Sequence, residues 1–319
     1  MPDTSPSVLI VRLDAIGDAL ALVPLLAALR AAGYPTGVVL STVNAGIFAR
    51  GAVSRMYVAA PQIPVREIEA DRYAYALIAT EEAQGYRLPQ AARIPVRIGF
   101  ENGWGKPLKT LWVRRLCTST VHRTAGLDER APHECAVLFE LGRSLLGGTQ
   151  PSRDPSVLRR FVLDAEPLPD ARVALQITDK WERLGRPLAE VAALAGSIAR
   201  HMPVRAIAAA AEARYADAFE RAAGLPVERF ADLAAWKAAV AAARALVAPD
   251  SGALHVAGMV GTPTVAAFAA NASFALQTAR WHTWAAPHRI VKMDGAWPVV
   301  AANALADLLS GTQPIVHRG

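Results

Sequence analysis

The sequence contains few cysteines. Only Cys117 and Cys135 occur among 319 residues, and neither belongs to a CxxC or HxxxH spacing. The sequence therefore implies no disulfide scaffold and no zinc site. We expect both cysteines to be ordinary small residues.

The sequence also lacks a long apolar run. No uninterrupted apolar stretch reaches about 18 residues, and residues 1–6 contain no basic and apolar leader. We therefore expect a cytoplasmic protein that does not cross a membrane.

The length of 319 residues and the 53% hydrophobic content predict two domains, each with its own core.

Acidic residues are scarce in one segment, 85–123, where Glu101 alone opposes eight basic residues: Arg87, Arg93, Arg97, Lys106, Lys109, Arg114, Arg115 and Arg123. The segment is either a solvated basic face or a docking surface for anionic lipid headgroups or phosphorylated glycans. Trp104 and Trp112, in the same segment, could lie at a membrane interface or stack on sugar rings. No nucleic-acid motif accompanies these charges, so we expect no nucleic-acid partner.

Ala-rich helical stretches alternate with Val, Leu and Ile runs along the chain, which predicts an α/β fold. The predicted strands are 8–13, 37–41, 75–80, 173–177, 204–208, 245–248 and 264–268. The predicted helices are 19–32, 132–146, 188–201, 212–223, 231–243, 253–259 and 300–309. The proline-containing stretch 149–170 is the best linker, which predicts domains 1–160 and 161–319, with a final helix that could pack back on the first domain.

A strand-to-helix turn near the start contains Asp14 and the pair Gly17-Asp18. Such turns bind ligands in open α/β sheets, and a glycine lets the backbone approach a ligand closely. Asp18 either caps its helix or acts as a general base that takes a proton from a hydroxyl group. Asp14 is a rival carboxylate. The turn does not match GxGxxG, so a dehydrogenase-type dinucleotide site has weak support.

A second strand-to-helix turn reads Asp250-Ser251-Gly252. Its small residues leave backbone N–H groups open at a helix start, where the dipole favours anions. Asp250 either caps the helix or binds sugar hydroxyls. A lone helical histidine such as His255 is usually a packing residue. We expect the loop 261–264 to shape the same pocket.

Lys180 follows the first predicted strand of the second domain. A single lysine is most often an ordinary surface residue. Its place at the carboxyl end of a strand makes it a candidate to neutralise a leaving phosphate.

These segments together resemble glycosyltransferase family 9, the bacterial ADP-heptose:lipopolysaccharide heptosyltransferases and their relatives. The resemblance rests on segments in the family's order and spacing: Val8 to Leu13 with Ile16-Gly17-Asp18 and Leu22-Val23-Pro24; Pro132-His133-Glu134; Asp179-Lys180-Trp181; and Pro249-Asp250-Ser251-Gly252 through His255 with Gly261-Thr262-Pro263-Thr264.

The resemblance implies the GT-B architecture: two Rossmann-like domains whose parallel sheets face a central cleft, with the acceptor in the first domain and the nucleotide sugar in the second. It also implies an inverting reaction that needs no metal. Asp18 would deprotonate the acceptor hydroxyl, and Lys180 would stabilise the leaving diphosphate. The other implied donor-binding residues are Asp250, Ser251, Gly252, His255, Glu212 and Thr178, and the implied acceptor-binding residues are Gly17, Arg97 and Lys106.

The implied donor is an ADP-linked sugar, so the resemblance predicts no further cofactor. The implied acceptor is an anionic glycan or glycolipid of the lipopolysaccharide type, with peripheral contact at the inner membrane surface. Three segments depart from the family's pattern, at 176–178, 208–212 and 269–271, which leaves another nucleotide sugar open.

Two other functional classes also stay open. One is a UDP-sugar 2-epimerase with the same two-domain fold, which the Gly17-Asp18 turn disfavours. The other is a non-catalytic relative that binds a sugar nucleotide or a glycan. The presence of both Asp18 and Lys180 disfavours that second class.

Overall fold

The computed structural model describes residues 6–60, 62–123 and 128–311. The chain divides into two compact units, Met1–Asp164 and Ala165–Gly319. Each unit contains one six-stranded sheet in which every pair of neighbouring strands is parallel. The prediction that residues 1–5 form no leader lies outside the described residues.

The first unit contains strands β1 (Val8–Arg12), β2 (Thr36–Ser41), β3 (Arg55–Ala59), β4 (Tyr75–Ile78), β5 (Val96–Glu101) and β6 (Ser119–His122). Its helices are α1 (Ile16–Leu20), α2 (Val23–Ala31), α3 (Val65–Ala70), α4 (Ala83–Ala91), α5 (Pro107–Leu116), α6 (Glu134–Phe139), α7 (Arg143–Leu146) and α8 (Pro155–Leu158). The strand order is β3-β2-β1-β4-β5-β6. We call this sheet the first sheet.

The second unit contains β7 (Asp170–Gln176), β8 (Val204–Ala209), β9 (Val227–Phe230), β10 (Ala243–Pro249), β11 (Thr264–Ala269) and β12 (His288–Met293). Its helices are α9 (Lys180–Arg183), α10 (Leu188–Ala199), α11 (Ala213–Ala223), α12 (Leu233–Ala242), α13 (Gly252–Val260), α14 (Phe274–Trp281) and α15 (Trp297–Ser310). The order of this second sheet is β12-β11-β10-β7-β8-β9. Read from its other edge, it has the same strand order as the first sheet.

This shared order is that of a dinucleotide-binding Rossmann sheet, so each unit is Rossmann-like. In such a sheet the ligand crevice lies at the carboxyl ends of the two central strands, where the strand order reverses. These strands are β1 and β4 in the first sheet and β7 and β10 in the second. We use the term carboxyl edge for the edge of a sheet at which its strands end.

Central strands form where the sequence is continuously apolar. Every residue of β1 is buried, including Arg12, which is only 3% exposed. A parallel strand that is covered on both faces has this pattern. The core of the second unit includes Trp181 and Trp297, whose stacked rings lie 5.4 Å apart. Because Trp297 begins α15, the final helix packs within the second unit.

The predicted helix 19–32 is instead two helices, α1 and α2. Pro24 lies in the first turn of α2 and has no N–H with which to continue the preceding helix. Gly33 follows α2 with a φ of +80°, the left-handed conformation expected beyond a helix end.

The predicted linker 149–170 contains ordered structure. It includes α8 and a 3-10 turn, and the buried side chains of Leu158 and Phe161 hold this part on the first unit. The Arg30 guanidinium lies 4.5 Å from the centre of the Phe161 ring. The division between the two units therefore follows Asp164.

Among residues 6–60, 62–123 and 128–311, no helix is both long and apolar enough to cross a bilayer. Both cysteines are buried free thiols, as expected for ordinary small residues. Burial raises the pKa of the Cys117 thiol to about 11.

Candidate functional site

Asp18 lies at the carboxyl edge of the first sheet, in the first turn of α1. Its Oδ1 accepts a hydrogen bond of 2.7 Å from Arg12 Nη2, and its Oδ2 accepts one of 3.1 Å from the backbone N–H of Ala15. The second bond caps α1, as one interpretation of the sequence predicted. The side chain remains 26% exposed, and each carboxylate oxygen has a second acceptor position. Asp18 can therefore cap its helix and still receive a proton.

Arg12 fixes the orientation of Asp18. Its guanidinium is almost completely buried and also donates to the backbone carbonyl of Ala79, at the end of β4. Arg12 Nη2 lies 4.0 Å from Glu134 Oε1, and Arg123 Nη2 donates to the same oxygen at 2.7 Å. These contacts hold the Asp18 carboxylate in one orientation.

A network of ion pairs extends from Arg12 along the carboxyl edge. We call it the Arg12 cluster, and its members are Arg12, Asp14, Asp18, Glu81, Lys109, Arg123 and Glu134. Four carboxylates thus meet three cations. Glu134 is completely buried, and buried carboxylates of this kind require paired cations.

Glu81 connects the cluster to α5, because it accepts hydrogen bonds from Lys109 and, at 3.2 Å, from Arg123 Nη1. Burial by itself raises the pKa of the Glu81 carboxyl. The bond from Lys109 and the charges of Lys109, Arg123 and Lys106 outweigh burial and lower that pKa below its ordinary value.

Asp14, the rival carboxylate, has a different environment. Its Oδ2 lies 3.4 Å from Arg12 Nε, while its backbone carbonyl accepts a bond of 2.8 Å from Asn44 Nδ2. Asn44 is completely buried and also accepts a bond of 3.1 Å from Ser41 Oγ. The Asp14 backbone is thus part of the scaffold beneath the turn.

The three residues predicted to bind acceptor lie in different places. Gly17 is the second residue of α1, next to Asp18. Lys106 is exposed and precedes α5 at the carboxyl edge. Arg97, in contrast, is the second residue of β5 and is in register with Ala76, the second residue of β4. The structure therefore places Arg97 toward the opposite edge of the sheet from Asp18.

The guanidinium of Arg97 is engaged in structural bonds. Its Nε donates to the carbonyl of Leu116 at 2.8 Å, and its Nη1 donates to that of Ile94 at 2.7 Å. These bonds fasten the end of α5 to the start of β5. The geometry gives Arg97 a scaffolding role and does not bring it together with Asp18.

Lys180 and Asp250 meet at the carboxyl edge of the second sheet. Lys180 begins α9 after β7, and Asp250 follows the adjacent strand β10. Lys180 Nζ lies 3.8 Å from Asp250 Oδ2, which is longer than a hydrogen bond. Both side chains are partly exposed, at 31% and 23%. The ammonium group is therefore available to a ligand anion.

The start of α13 lies beside this pair. Ser251 is the N-terminal cap of α13 but its side chain makes no capping bond, and its buried Oγ has no hydrogen-bond partner. The first N–H groups of a helix have no acceptor within that helix, and its dipole is positive at this end. Gly252 and Ala253 supply such N–H groups here. The arrangement suits a phosphate group.

Glu212 and Thr178, both predicted to bind donor, contact each other. Thr178 Oγ1 donates to Glu212 Oε1 at 2.7 Å, and the backbone N–H of Asp179 donates to Glu212 Oε2 at 3.0 Å. Glu212 follows β8, the neighbour of β7. It therefore fixes the turn that carries Lys180.

An open cavity of about 440 Å³ adjoins Glu212. Its lining residues are Asp179, Glu182, Ala211, Glu212, Arg214, Tyr215 and Ala218. The buried hydroxyl of Tyr215 has no hydrogen-bond partner, and burial raises its pKa far above the ordinary value. The volume is within the range of small-molecule sites.

His255 lies on α13, buried, with its ring edge-on to that of Trp281 at 5.4 Å. This packing supports the position of the helix that begins at Ser251.

The predicted contribution of loop 261–264 to the pocket is wrong. Thr262 and Thr264 are buried where β11 begins, at the opposite edge of the sheet, and their hydroxyls donate to the carbonyls of Val240 and Thr262.

Sequence reasoning did not identify Glu81, Arg123 and Tyr215 as site residues, nor Arg12 and Glu134 beyond their place in the family's motifs. An arginine within the otherwise apolar run VLIVRL was the available signal. A buried charge requires a partner, and carboxylates follow at Asp14 and Asp18. No local pattern pointed to Glu81 or Arg123, since the sheet alone brings them together.

Comparisons with known proteins find the same fold. No family model matches the sequence, and no curated protein matches it. A solved structure of a glycosyl transferase family 9 protein from Veillonella parvula has a TM-score of 0.70 at 14% identity, covering 98% of this chain and 99% of that one. The E. coli heptosyltransferase WaaC with ADP has a TM-score of 0.70 at 18% identity, covering 96% and 99%.

A putative UDP-N-acetylglucosamine 2-epimerase from Listeria monocytogenes has a lower TM-score of 0.54 at 14% identity, covering 96% of this chain and 88% of that one. These identities establish the fold alone. The predicted α/β class with two Rossmann-like domains, the fold of the GT-B transferases, is confirmed.

Proposed function

We propose that this protein is an inverting, metal-independent glycosyltransferase. It would move a sugar from a nucleotide diphosphate, with ADP-heptose as the first candidate, to a hydroxyl of a glycan or lipopolysaccharide-type acceptor. The observation that carries the proposal is the pairing of Lys180 with Asp250 beside the start of α13, at the carboxyl edge of a transferase fold.

Asp18 is the proposed general base. The acceptor hydroxyl gives its proton to the Asp18 carboxylate while its oxygen forms a bond to the anomeric carbon of the donor. The bond between that carbon and the diphosphate oxygen breaks at the opposite face, and the electron pair leaves with the diphosphate. The Arg12 guanidinium, 2.7 Å from Asp18, orients the base and balances its charge.

Lys180 is the proposed partner of the leaving diphosphate. Its ammonium lies next to Asp250, at 3.8 Å. A diphosphate between Lys180 and the N–H groups of α13 would take over that ammonium and release Asp250 to accept bonds from sugar hydroxyls. Positive charge placed in advance of the reaction stabilises the developing phosphate charge. This is the role that a metal ion has in many other transferases.

The nucleoside of the donor fits best beside Glu212. The adjoining cavity is about 440 Å³, and Glu212 and Tyr215 are among its lining residues. In Rossmann sheets an acidic residue after the second strand accepts bonds from ribose hydroxyls, and Glu212 follows the second strand of this sheet. Each Glu212 oxygen accepts one bond, from Thr178 or from Asp179, and has a second lone pair that can accept a bond from a ribose hydroxyl.

Calorimetric titration with ADP, UDP, GDP, CDP and dTDP, in the presence of a metal chelator, tests the proposal. We expect saturable binding of ADP with a stoichiometry of one. Preferential binding of another nucleotide would assign a different nucleotide to the donor and would keep the proposed glycosyltransferase class. Absence of binding to all five would overturn the proposed transferase. A donor that is epimerised without any acceptor would instead establish the epimerase class.

A further inference from the structure

Three large apolar side chains are exposed together on the first unit. Trp104 is 95% exposed, Leu108 is 84% exposed and Leu111 is 70% exposed. The spacing of three residues places Leu108 and Leu111 on one side of α5, and Trp104 lies in the 3-10 turn just before that helix. Grouped apolar side chains at a protein surface mark a site of interaction.

The backbone presents these side chains in fixed positions. Thr110 Oγ1 donates to the carbonyl of Gly103 at 3.0 Å and accepts from the N–H of Asn102 at 3.3 Å, which ties the turn to the helix. On the inner side of α5, Val113 is buried in a small core with Tyr86. The exposure of Trp104 is therefore built into this element.

Trp112 belongs to the inner side. Its ring packs against that of Tyr86, with 5.4 Å between ring centres. Of the two tryptophans in the basic segment, only Trp104 is thus positioned for an external partner. Sequence alone could not separate them.

The exposed group has a basic border. Lys106, Arg114 and Arg115 are exposed around it, and the sequence of α5 contains no Asp or Glu. Arg114 is paired with Glu101 at 2.9 Å, which leaves Lys106 and Arg115 as the principal charges beside the apolar side chains. We call Trp104, Lys106, Leu108, Leu111 and Arg115 the α5 face.

Apolar side chains, a tryptophan and basic residues on a short surface helix have the character of an interfacial membrane anchor. Tryptophan favours the level of the lipid headgroups, and each lysine or arginine near an anionic bilayer gains about 1 kcal/mol. A free glycan would interact with the tryptophan and the cations but would leave Leu108 and Leu111 uncovered. The chemistry of the complete face therefore favours a bilayer.

We propose that the α5 face docks on an anionic phospholipid membrane. Trp104, Leu108 and Leu111 enter the boundary between headgroups and acyl chains, while Lys106 and Arg115 bind lipid phosphates. The inference deepens the proposed function, since Lys109 of the same helix pairs with Glu81 in the Arg12 cluster. Docking would hold the base Asp18 near a bilayer, which is where a lipid-linked acceptor is found.

Sedimentation with phosphatidylcholine vesicles, with and without phosphatidylglycerol, tests the docking. We expect binding to vesicles that contain phosphatidylglycerol, with binding weakened by added salt. Combined Trp104→Ser and Leu108→Ser substitutions should reduce the partition constant by more than about tenfold, because both side chains lose their apolar environment. Lys106→Glu with Arg115→Glu should reduce it by about tenfold or more.

Matched controls test whether vesicle binding depends on the α5 face rather than on exposed apolar or basic side chains in general. Leu168→Ser removes another apolar side chain, 88% exposed in the second unit, and Arg93→Glu reverses a charge that is 82% exposed on the first. Both controls should bind vesicles like the unmodified protein. All substituted residues are exposed, so an unchanged circular dichroism spectrum and unfolding midpoint are expected for each variant.

Three results would overturn the docking: no binding to phosphatidylglycerol vesicles, equal loss in the controls, or binding that the α5 substitutions leave unchanged. Binding restricted to the glycan acceptor in the absence of phospholipid would assign the face to the acceptor instead. ADP titration of the same variants distinguishes the two proposals. Vesicle binding without any nucleotide binding would retain the docking and reject the transferase.

Discussion

The two sheets share one strand order, yet their carboxyl edges differ in chemistry. In the first unit, a buried arginine and its neighbours form a dense network in which Asp18 already has two hydrogen-bond donors. In the second unit, Lys180 and Asp250 are 3.8 Å apart and the Ser251 hydroxyl has no partner. The carboxyl edge of the first sheet holds the Asp18 carboxylate in one orientation. The carboxyl edge of the second sheet leaves the Lys180 ammonium and the Ser251 hydroxyl without a hydrogen bond between them and their neighbours, and so free for a ligand. The same Rossmann-like scaffold can thus support proton transfer in the first unit and anion binding in the second.

The strongest test of this contrast is removal of the buried cation. Arg12→Ala would remove the shared partner of Asp14 and Asp18, while Glu134 keeps its bond from Arg123, and breaking an ion pair with a buried partner costs up to about 3–5 kcal/mol. We expect the urea midpoint to fall accordingly. Arg93→Ala is the control, because its pair with Glu69 at 3.0 Å is exposed and contributes less than about 1 kcal/mol. Equal effects of the two substitutions would show that the Arg12 cluster does not stabilise the first unit.

The second test removes the carboxylate of the proposed base, Asp18, and keeps the shape of its side chain. Asp18→Asn should reduce the initial rate of ADP release from the donor in the presence of acceptor by about 10²–10⁴-fold, the usual contribution of a general base. ADP affinity should stay within about twofold, since Asp18 belongs to the first unit and the proposed nucleotide site belongs to the second. Asp14→Asn is the matched control, and we expect at least tenfold more activity from it than from Asp18→Asn. A reversed order would assign the base to Asp14.

The third test concerns the open edge. Lys180→Ala should weaken ADP binding by about tenfold, because a charged hydrogen bond contributes roughly 1.5–3 kcal/mol and the helix N–H groups remain. The stabilisation of the protein by ADP in thermal unfolding reports this loss. Lys292→Ala is the control, since Lys292 is a lysine of the same unit that pairs with Asp294 at 3.6 Å. Equal stabilisation by ADP in both variants would remove Lys180 from the site.

The smallest expected effect concerns a carboxylate away from both edges. Bonds from Arg229 and the N–H of Val227 lower the pKa of the Glu220 carboxyl to about 2. A lowered folded-state pKa adds stability above the ordinary value of 4.5, and that stability disappears as the pH falls toward 2. Urea midpoints of Glu220→Gln should therefore be lower than those of the unmodified protein at pH 6, with a smaller difference at pH 3.

Asp294→Asn, which alters an exposed carboxylate in the same unit, provides the comparison for Glu220. At pH 6 we expect it to lower the urea midpoint less than Glu220→Gln does, because its pair with Lys292 at 3.6 Å is exposed. A Glu220→Gln difference that stays constant over this range would contradict the role of the ionised carboxylate.

The sequence predicted the elements that have continuous apolar runs. It predicted β1, β2, β4, β7, β8, β10 and β11, all within a few residues. It did not predict β3, β9 and β12, where exposed charged or polar residues interrupt the apolar pattern, nor β5 and β6 within the basic segment. Pairing with a neighbouring strand, rather than local composition, determines these strands.

The same limit applies to the site. Asp18, Lys180 and Asp250 stand in recognisable turns, so their position at the carboxyl edges followed from the sequence. Arg97 was a different case, because only the register of β5 shows that it lies toward the opposite edge. The network through Glu81 and Arg123 joins residues more than 40 positions apart. Contacts of this range leave no local pattern in a single sequence.

Mass spectrometry of the acceptor would detect the proposed sugar transfer itself. Heptose-free lipopolysaccharide would be incubated with ADP-heptose and the unmodified protein, in buffer that contains a metal chelator. We expect the acceptor to gain one heptose residue and an equal amount of ADP to be released. Nucleotide binding without any transferred sugar, for ADP-heptose and for sugars linked to whichever nucleotide binds best, would contradict the proposed transfer.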